Sequence, residues 1–178
     1  MLTARLAVIS AVHFALAPGV VVGLVPWAMT GWDIRTPSWS SPPLRVLGAA
    51  LIVAGVAALV RLFIRFVTDG LGTPAPIAPT RRLVVSGSYR YVRNPMYVAV
   101  VAAIAGQALL LGRAGLLAYA AAVWVTVATF VRLYEEPALR DQFADEYVEY
   151  CNAVRRWLPR LTPFDKARAA AVPSAHLD

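Results

Sequence analysis

Histidine and cysteine are scarce in this 178-residue chain, which has two of the first and one of the second. With Cys151 alone, neither a disulfide framework nor a paired thiolate metal motif can form. His13 lies in an apolar run and His176 near the end of the chain, and neither has a serine and an acid placed to make a nucleophilic triad. Both read as structural or incidental residues. No metal site is expected, because the carboxylates that cluster have no histidine partners. Acidic residues are also few, 10 against 17 basic ones, for a formal charge of +7. The basic residues flank greasy segments and do not alternate with aromatics. They fit lipid headgroups and membrane topology better than nucleic acid. The chain has no internal repeat, and its length suits one compact unit.

The chain is 59% hydrophobic, above the half that is usual in soluble domains. Its mean hydropathy is +0.61. Four apolar stretches stand out, at residues 6–29, 44–67, 96–111 and 116–133. A bilayer core of about 30 Å takes about 20 helical residues, a length the first two stretches meet and the third only approaches. Gly112-Arg113-Ala114-Gly115 predicts a tight hairpin between the third and fourth. The first stretch is long for a signal peptide, contains Pro18 and Pro26, and lacks a small-x-small cleavage pattern, so it is expected to stay as a span. In a four-span arrangement Arg35, Arg45 and Arg113 fall on one side. Arg5, Arg81, Arg82, Arg90, Arg93, Arg140, Arg155, Arg156, Arg160, Lys166 and Arg168 fall on the other. The positive-inside rule then puts both termini and the link between spans two and three in the cytoplasm. The expected location is the plasma (inner) membrane.

The connections carry their own signals. Trp27, Trp32 and Trp39 around the first outer loop read as interfacial anchors. Residues 69–79 are too rich in Gly and Pro to be helix. Pro95 suits the first turn of the third helix, with Asn94 as its N-cap. Pro137 suits the opening of a further helix, on which Leu139, Phe143, Tyr147 and Tyr150 recur at helical spacing among acidic residues. That pattern predicts an amphipathic surface helix, with Arg155, Arg156 and Trp157 after it as a membrane anchor. The expected fold is therefore all-α and polytopic, with about four transmembrane helices plus a cytoplasmic C-terminal amphipathic helix. Residues 1–164 form one domain and 165–178 a flexible tail.

Several polar groups at the edges of these spans have a plain reading and a chemical one. Gly70 and Gly72 suit a helix C-cap, or a place where backbone closely approaches a ligand. Glu135 and Glu136 are either solvated boundary charges or ligand acceptors. Successive helical side chains diverge by about 100°, so one is expected to face a ligand while the other caps or pairs. Arg132, three residues before Glu135, is a candidate partner for it. Arg90 and Arg93 set topology or bind an anion. Arg65 suits snorkelling to the interface, and Gln107 suits a bond to a neighbouring helix.

In chain order these elements make a more specific pattern. Gly-x-Gly comes first, then Gly87-Ser88-Tyr89-Arg90-Tyr91-Val92-Arg93-Asn94-Pro95-Met96-Tyr97 opening a helix. A helical hairpin follows, then Glu135-Glu136 and a Tyr147-x-x-Tyr150 helix ending near Pro159. This resembles the isoprenylcysteine carboxyl methyltransferase and phospholipid N-methyltransferase family of integral membrane methyltransferases, over about half the chain. The resemblance implies S-adenosylmethionine as cofactor, held at the cytoplasmic face by a half of the domain spanning about residues 69–159. It implies cofactor-binding roles for Gly70, Gly72, Tyr89, Asn94, Pro95, Tyr97, Glu135 and Glu136. Arg93 and Arg156 become the catalytic candidates, and Gln107 matches a glutamine often found one helix-length later. Asn94 stands where many members carry histidine, so this position cannot act as a base here. Ala153 stands where the eukaryotic carboxyl methyltransferases carry arginine, leaving Arg155 or Arg156 to substitute.

The expected activity is methyl transfer to a lipophilic acceptor, with membrane lipids as surroundings and no nucleic acid or metal partner. A carboxylate acceptor is favoured because it needs no general base. A phospholipid or other lipid amine is the alternative. An NADPH-dependent lipid reductase and a non-catalytic membrane protein are the readings of another kind.

Overall fold

A computed structural model describes residues 16–68, 83 and 85–165, with side chains in the second helix described as far as Arg65. The expectations for Gly70, Gly72, His13, His176, residues 6–15 of the first stretch and the tail from 166 lie outside the described residues. Within them the fold is all-helical and has no strand.

Helix α1 spans Leu16–Thr30. Helix α2 spans Pro42–Thr68, α3 Pro95–Leu111, α4 Ala114–Phe130 and α5 Glu136–Ala153. Among the described residues two stretches are long and apolar enough to cross a membrane: Pro42–Arg65, and Ala114–Ala153, in which α4 runs on into α5. Leu16–Thr30 and Pro95–Leu111 are shorter apolar helices.

Helix α3 sits in the middle. It is apolar on every side, and such a helix is stable only when surrounded. Ala99, Ala103, Ile104 and Ala108 are buried, against α2 on one flank and α4 on another. The α2–α3 contact is the tightest in the fold, because glycine lets the two backbones meet. A Cβ on Gly48 would stand 2.6 Å from the Gly106 carbonyl oxygen, and one on Gly106 would stand 2.7 Å from that of Gly48. Without a hydrophobic drive between helices in lipid, such close packing does much of the holding. The predicted hairpin is present. Gly112 closes α3 in the left-handed conformation, and α4 begins two residues later.

Two prolines shape the rods. A proline at position i has no N–H for the carbonyl at i−4. Pro26 thus leaves the Val22 carbonyl without a helical donor, and the preceding turns widen to a π-helix over Gly19–Leu24. Neighbouring helices supply the missing donors. Gln107 Nε2 donates to the Val22 carbonyl at 2.8 Å and the Tyr119 hydroxyl to that of Val21 at 3.1 Å. Pro137 has the same effect below α4, where Val131–Glu135 is a π-turn and the Glu136 N–H reaches back to the Val131 carbonyl. The chain does not break before Pro137: α4 runs on into α5, which kinks only later, at Ala144, where φ is +43°.

The C-terminal helix does not simply float on a bilayer. Tyr147, Tyr150, Val154 and Phe164 form a buried cluster, against which Leu83, Val85, Leu139 and Phe143 pack. The segment after α5 is tied to the segment before α3 by backbone hydrogen bonds. The Arg93 N–H donates to the Arg155 carbonyl, Arg160 N–H to that of Tyr91 and Phe164 N–H to that of Arg90, at 2.9–3.0 Å. This corrects the anchor reading in part: Arg156 turns inward, and Trp157 lies edge-on to Trp124 of α4 at 6.4 Å.

Candidate functional site

The turn before α3 and its first residues, the start of α5 and the segment after α5 carry all eight of the expected site residues that are described. Glu136 is the hub. Buried among apolar side chains, a carboxylate needs a cation and full hydrogen bonding. Arg156 supplies a two-pronged clamp, with Nε on Oε1 at 2.7 Å and Nη2 on Oε2 at 2.6 Å. This pairing holds the Arg156 guanidinium charged still more firmly than usual. Arg93 adds a second cation, with Nη1 3.2 Å from Glu136 Oε1. The same nitrogen donates to Cys151 Sγ. The Arg93 and Glu136 side chains are only 11% and 8% exposed. Arg93 Nε is buried and has no hydrogen-bond partner among the described residues.

Glu135 faces differently, as the divergence of adjacent helical side chains requires. Its Oε2 accepts from the Tyr97 hydroxyl at 3.3 Å, and the residue is half-buried. The expected Arg132 pairing is replaced by this bond. The wide π-turn takes residues three apart off a common face, and Arg132 is exposed. Tyr89 lies close enough to feel Glu135. Burial, and then the Glu135 charge, push its hydroxyl up to about 12. The Tyr89 backbone is pinned in turn, its carbonyl accepting from the Tyr150 hydroxyl at 2.7 Å.

Asn94 occupies the position before α3, with Pro95 in the first turn as predicted. Its side chain does not cap the helix. With ψ at 58° it lies outside the extended region that aims a cap oxygen at the N2 and N3 amides. Its Nδ2 donates to the Arg156 carbonyl at 3.2 Å instead, stitching the two segments of the site. Gln107 is a helix–helix residue, bonded to α1.

Sequence reasoning missed two participants. Cys151 follows Tyr150 and lies four residues after Tyr147, so it shares the buried stripe, a spacing readable in advance. The Arg90 tie to the chain end, with Nε on the Phe164 carbonyl at 2.6 Å, left no local pattern to read. Chemically, the cluster sets two guanidinium groups on one carboxylate, a local surplus of one positive charge, beside a second carboxylate held by a phenol.

No curated protein and no solved structure matches the chain. A sequence model of the phospholipid methyltransferase family matches residues 43–146, a stretch that runs from the start of α2 through Glu135 and Glu136 into α5. More than half of the chain is thereby accounted for, and the protein belongs to the phospholipid methyltransferase family.

Proposed function

We propose that the protein transfers a methyl group from S-adenosylmethionine to a lipophilic acceptor at the arginine-rich, cytoplasmic side of the membrane. The observation that carries this reading is the polarity of the cluster. The surplus positive charge of Arg93 and Arg156 over Glu136 lies beside the half-buried Glu135 carboxylate. A ligand with a carboxylate at one end and hydroxyls or an ammonium at the other complements that arrangement.

The residues present fit the cofactor. Arg93 Nε, buried and without a partner among the described residues, is a donor that a ligand carboxylate suits. Arg93 suits the cofactor's carboxylate and Glu135, steadied by Tyr97, its hydroxyls or amino group. Tyr89, Asn94 and Pro95 set the wall between them, and Gly70 and Gly72 are proposed to approach it through their backbone. When bound, the cofactor supplies an electrophilic methyl group on a sulfonium, whose carbon–sulfur electron pair leaves with sulfur. The protein's work is then alignment and exclusion of water. Alignment of bound reactants can supply about 7–11 kcal/mol of the barrier.

For the acceptor we favour a carboxylate on a lipophilic molecule, because it attacks without losing a proton. Tyr89, held protonated to about pH 12, is no base near neutrality. The family match favours a second reading, a phospholipid amine. One experiment tests both. Membranes containing the protein are incubated with cofactor labelled in the methyl group, and the lipid and peptide products are treated with alkali. Label released as methanol marks a carboxyl ester, and label retained marks an N-methyl lipid. No transfer by protein that binds S-adenosylhomocysteine, or binding of NADPH in its place, overturns the proposal.

A further inference from the structure

A cleft of about 700 Å³ opens between α2 and α3, at the end of both helices that carries the candidate site. None of Tyr89, Arg93, Tyr97, Glu135 or Glu136 lines it. Its rim holds Arg61 and Arg65 of α2, one helical turn apart on one face, and Arg90 from the turn before α3. Its floor is aliphatic and includes Ala58, Leu62 and Val98. Gly87 has φ of +56°, a left-handed turn that glycine takes without strain, and the Arg65 guanidinium lies against it. Arg90 is partly neutralised, by the exposed Asp165 at 3.8 Å and the Phe164 carbonyl. Among the described residues the rim thus gathers three guanidinium groups, above a greasy floor at the end of a 24-residue apolar span.

We propose that this cleft binds an anionic phospholipid that is not itself methylated, with its phosphate on the Arg61–Arg65–Arg90 rim and an acyl chain on the floor. Guanidinium forks match phosphate oxygens two at a time, and basic pockets between membrane helices take anionic headgroups. Charge complementarity selects an anionic over a zwitterionic headgroup, and the aliphatic floor selects a lipid over free phosphate. The inference does not rest on the cofactor reading: of the residues assigned to the cofactor only Pro95 also lines the cleft, and none of the charged or hydroxyl-bearing ones does.

The test uses the full chain purified in detergent. Native mass spectrometry should show one retained phosphatidylglycerol under conditions that strip phosphatidylcholine. Arg61→Gln/Arg65→Gln should weaken retention by about tenfold or more, the loss of charge-assisted bonds. Arg140→Gln, on the exposed face of α5, should leave it unchanged. S-adenosylhomocysteine affinity, measured in parallel, should be the same in all three proteins, so that failure here is distinct from failure of the cofactor reading. A second measurement needs no variant: phosphatidylglycerol should raise the unfolding midpoint of the wild-type protein, while phosphatidylcholine and excess inorganic phosphate should not. Equal retention of the two lipids, undiminished retention in the double variant, or equal stabilisation by phosphate alone overturns the proposal.

Discussion

Replacing each of the paired glutamates by glutamine should separate structure from function, because the two carboxylates stand in different surroundings. Glu136→Gln leaves Arg93 and Arg156 facing each other with no countercharge, Arg93 being 11% exposed. Breaking a buried pair from one side costs about 3–5 kcal/mol. The Arg156 side chain is 26% exposed, and water there recovers part of the loss, which points to the lower end. About 3 kcal/mol in a chain of this size lowers the unfolding midpoint by roughly 6–12 °C. Glu135→Gln is a different perturbation. The amide oxygen still accepts from Tyr97, so stability should change by less than about 0.5 kcal/mol. What is lost is a charged acceptor toward the cofactor, about 1.5–3 kcal/mol, or roughly 10- to 150-fold in affinity. The assay pairs thermal unfolding in detergent, followed by tryptophan fluorescence, with calorimetric titration of S-adenosylhomocysteine. The reasoning fails if Glu136→Gln melts with the wild type, or if Glu135→Gln keeps wild-type affinity and turnover.

Three further outcomes follow from the same structure. Arg93→Lys should insert normally and yet lose activity, since an ammonium cannot meet Glu136, Cys151 and a ligand carboxylate as the fork can; wild-type turnover in this variant would reduce Arg93 to a topology charge. Gly106→Leu should destabilise the α2–α3 pair by about 1–3 kcal/mol or more, through overpacking against the Gly48 carbonyl; an unchanged unfolding midpoint would contradict the close approach. A reporter fused after Asp178 should prove cytoplasmic, as the arginine bias requires; an extracytoplasmic reporter would put the proposed site on the wrong face.

Much of the fold was legible because lipid leaves few choices. Long apolar runs bounded by glycine and proline gave α3 and α4 to within a few residues, and Pro95 and Gly112 marked real boundaries. The continuity of α4 with α5 was not legible. Glu135-Glu136-Pro137 looks like a break, yet a π-turn absorbs the missing N–H and the rod runs on. At the site, the gathering of Tyr89, Tyr97 and Glu135 was expected from the resemblance. The double arginine clamp on Glu136 was not, because Arg93, Glu136 and Arg156 come from three separate segments whose pairing leaves no periodic trace. The Asn94 cap failed for a related reason: a tertiary acceptor, the Arg156 carbonyl, won its side chain from the local amides.

The π-turn at Val131–Glu135 also ties the site's aim to a residue count. A π-turn is an α-helix carrying one residue too many, so everything beyond it is rotated by about 100° relative to the membrane helix above. The glutamates owe their headings, one toward Tyr97 and one toward the arginines, to that extra residue. Losing a single amino acid between Val131 and Glu135 would turn the two carboxylates away from Tyr97 and the arginines. In this stretch chain length, more than side-chain identity, keeps the chemistry in phase with the bilayer.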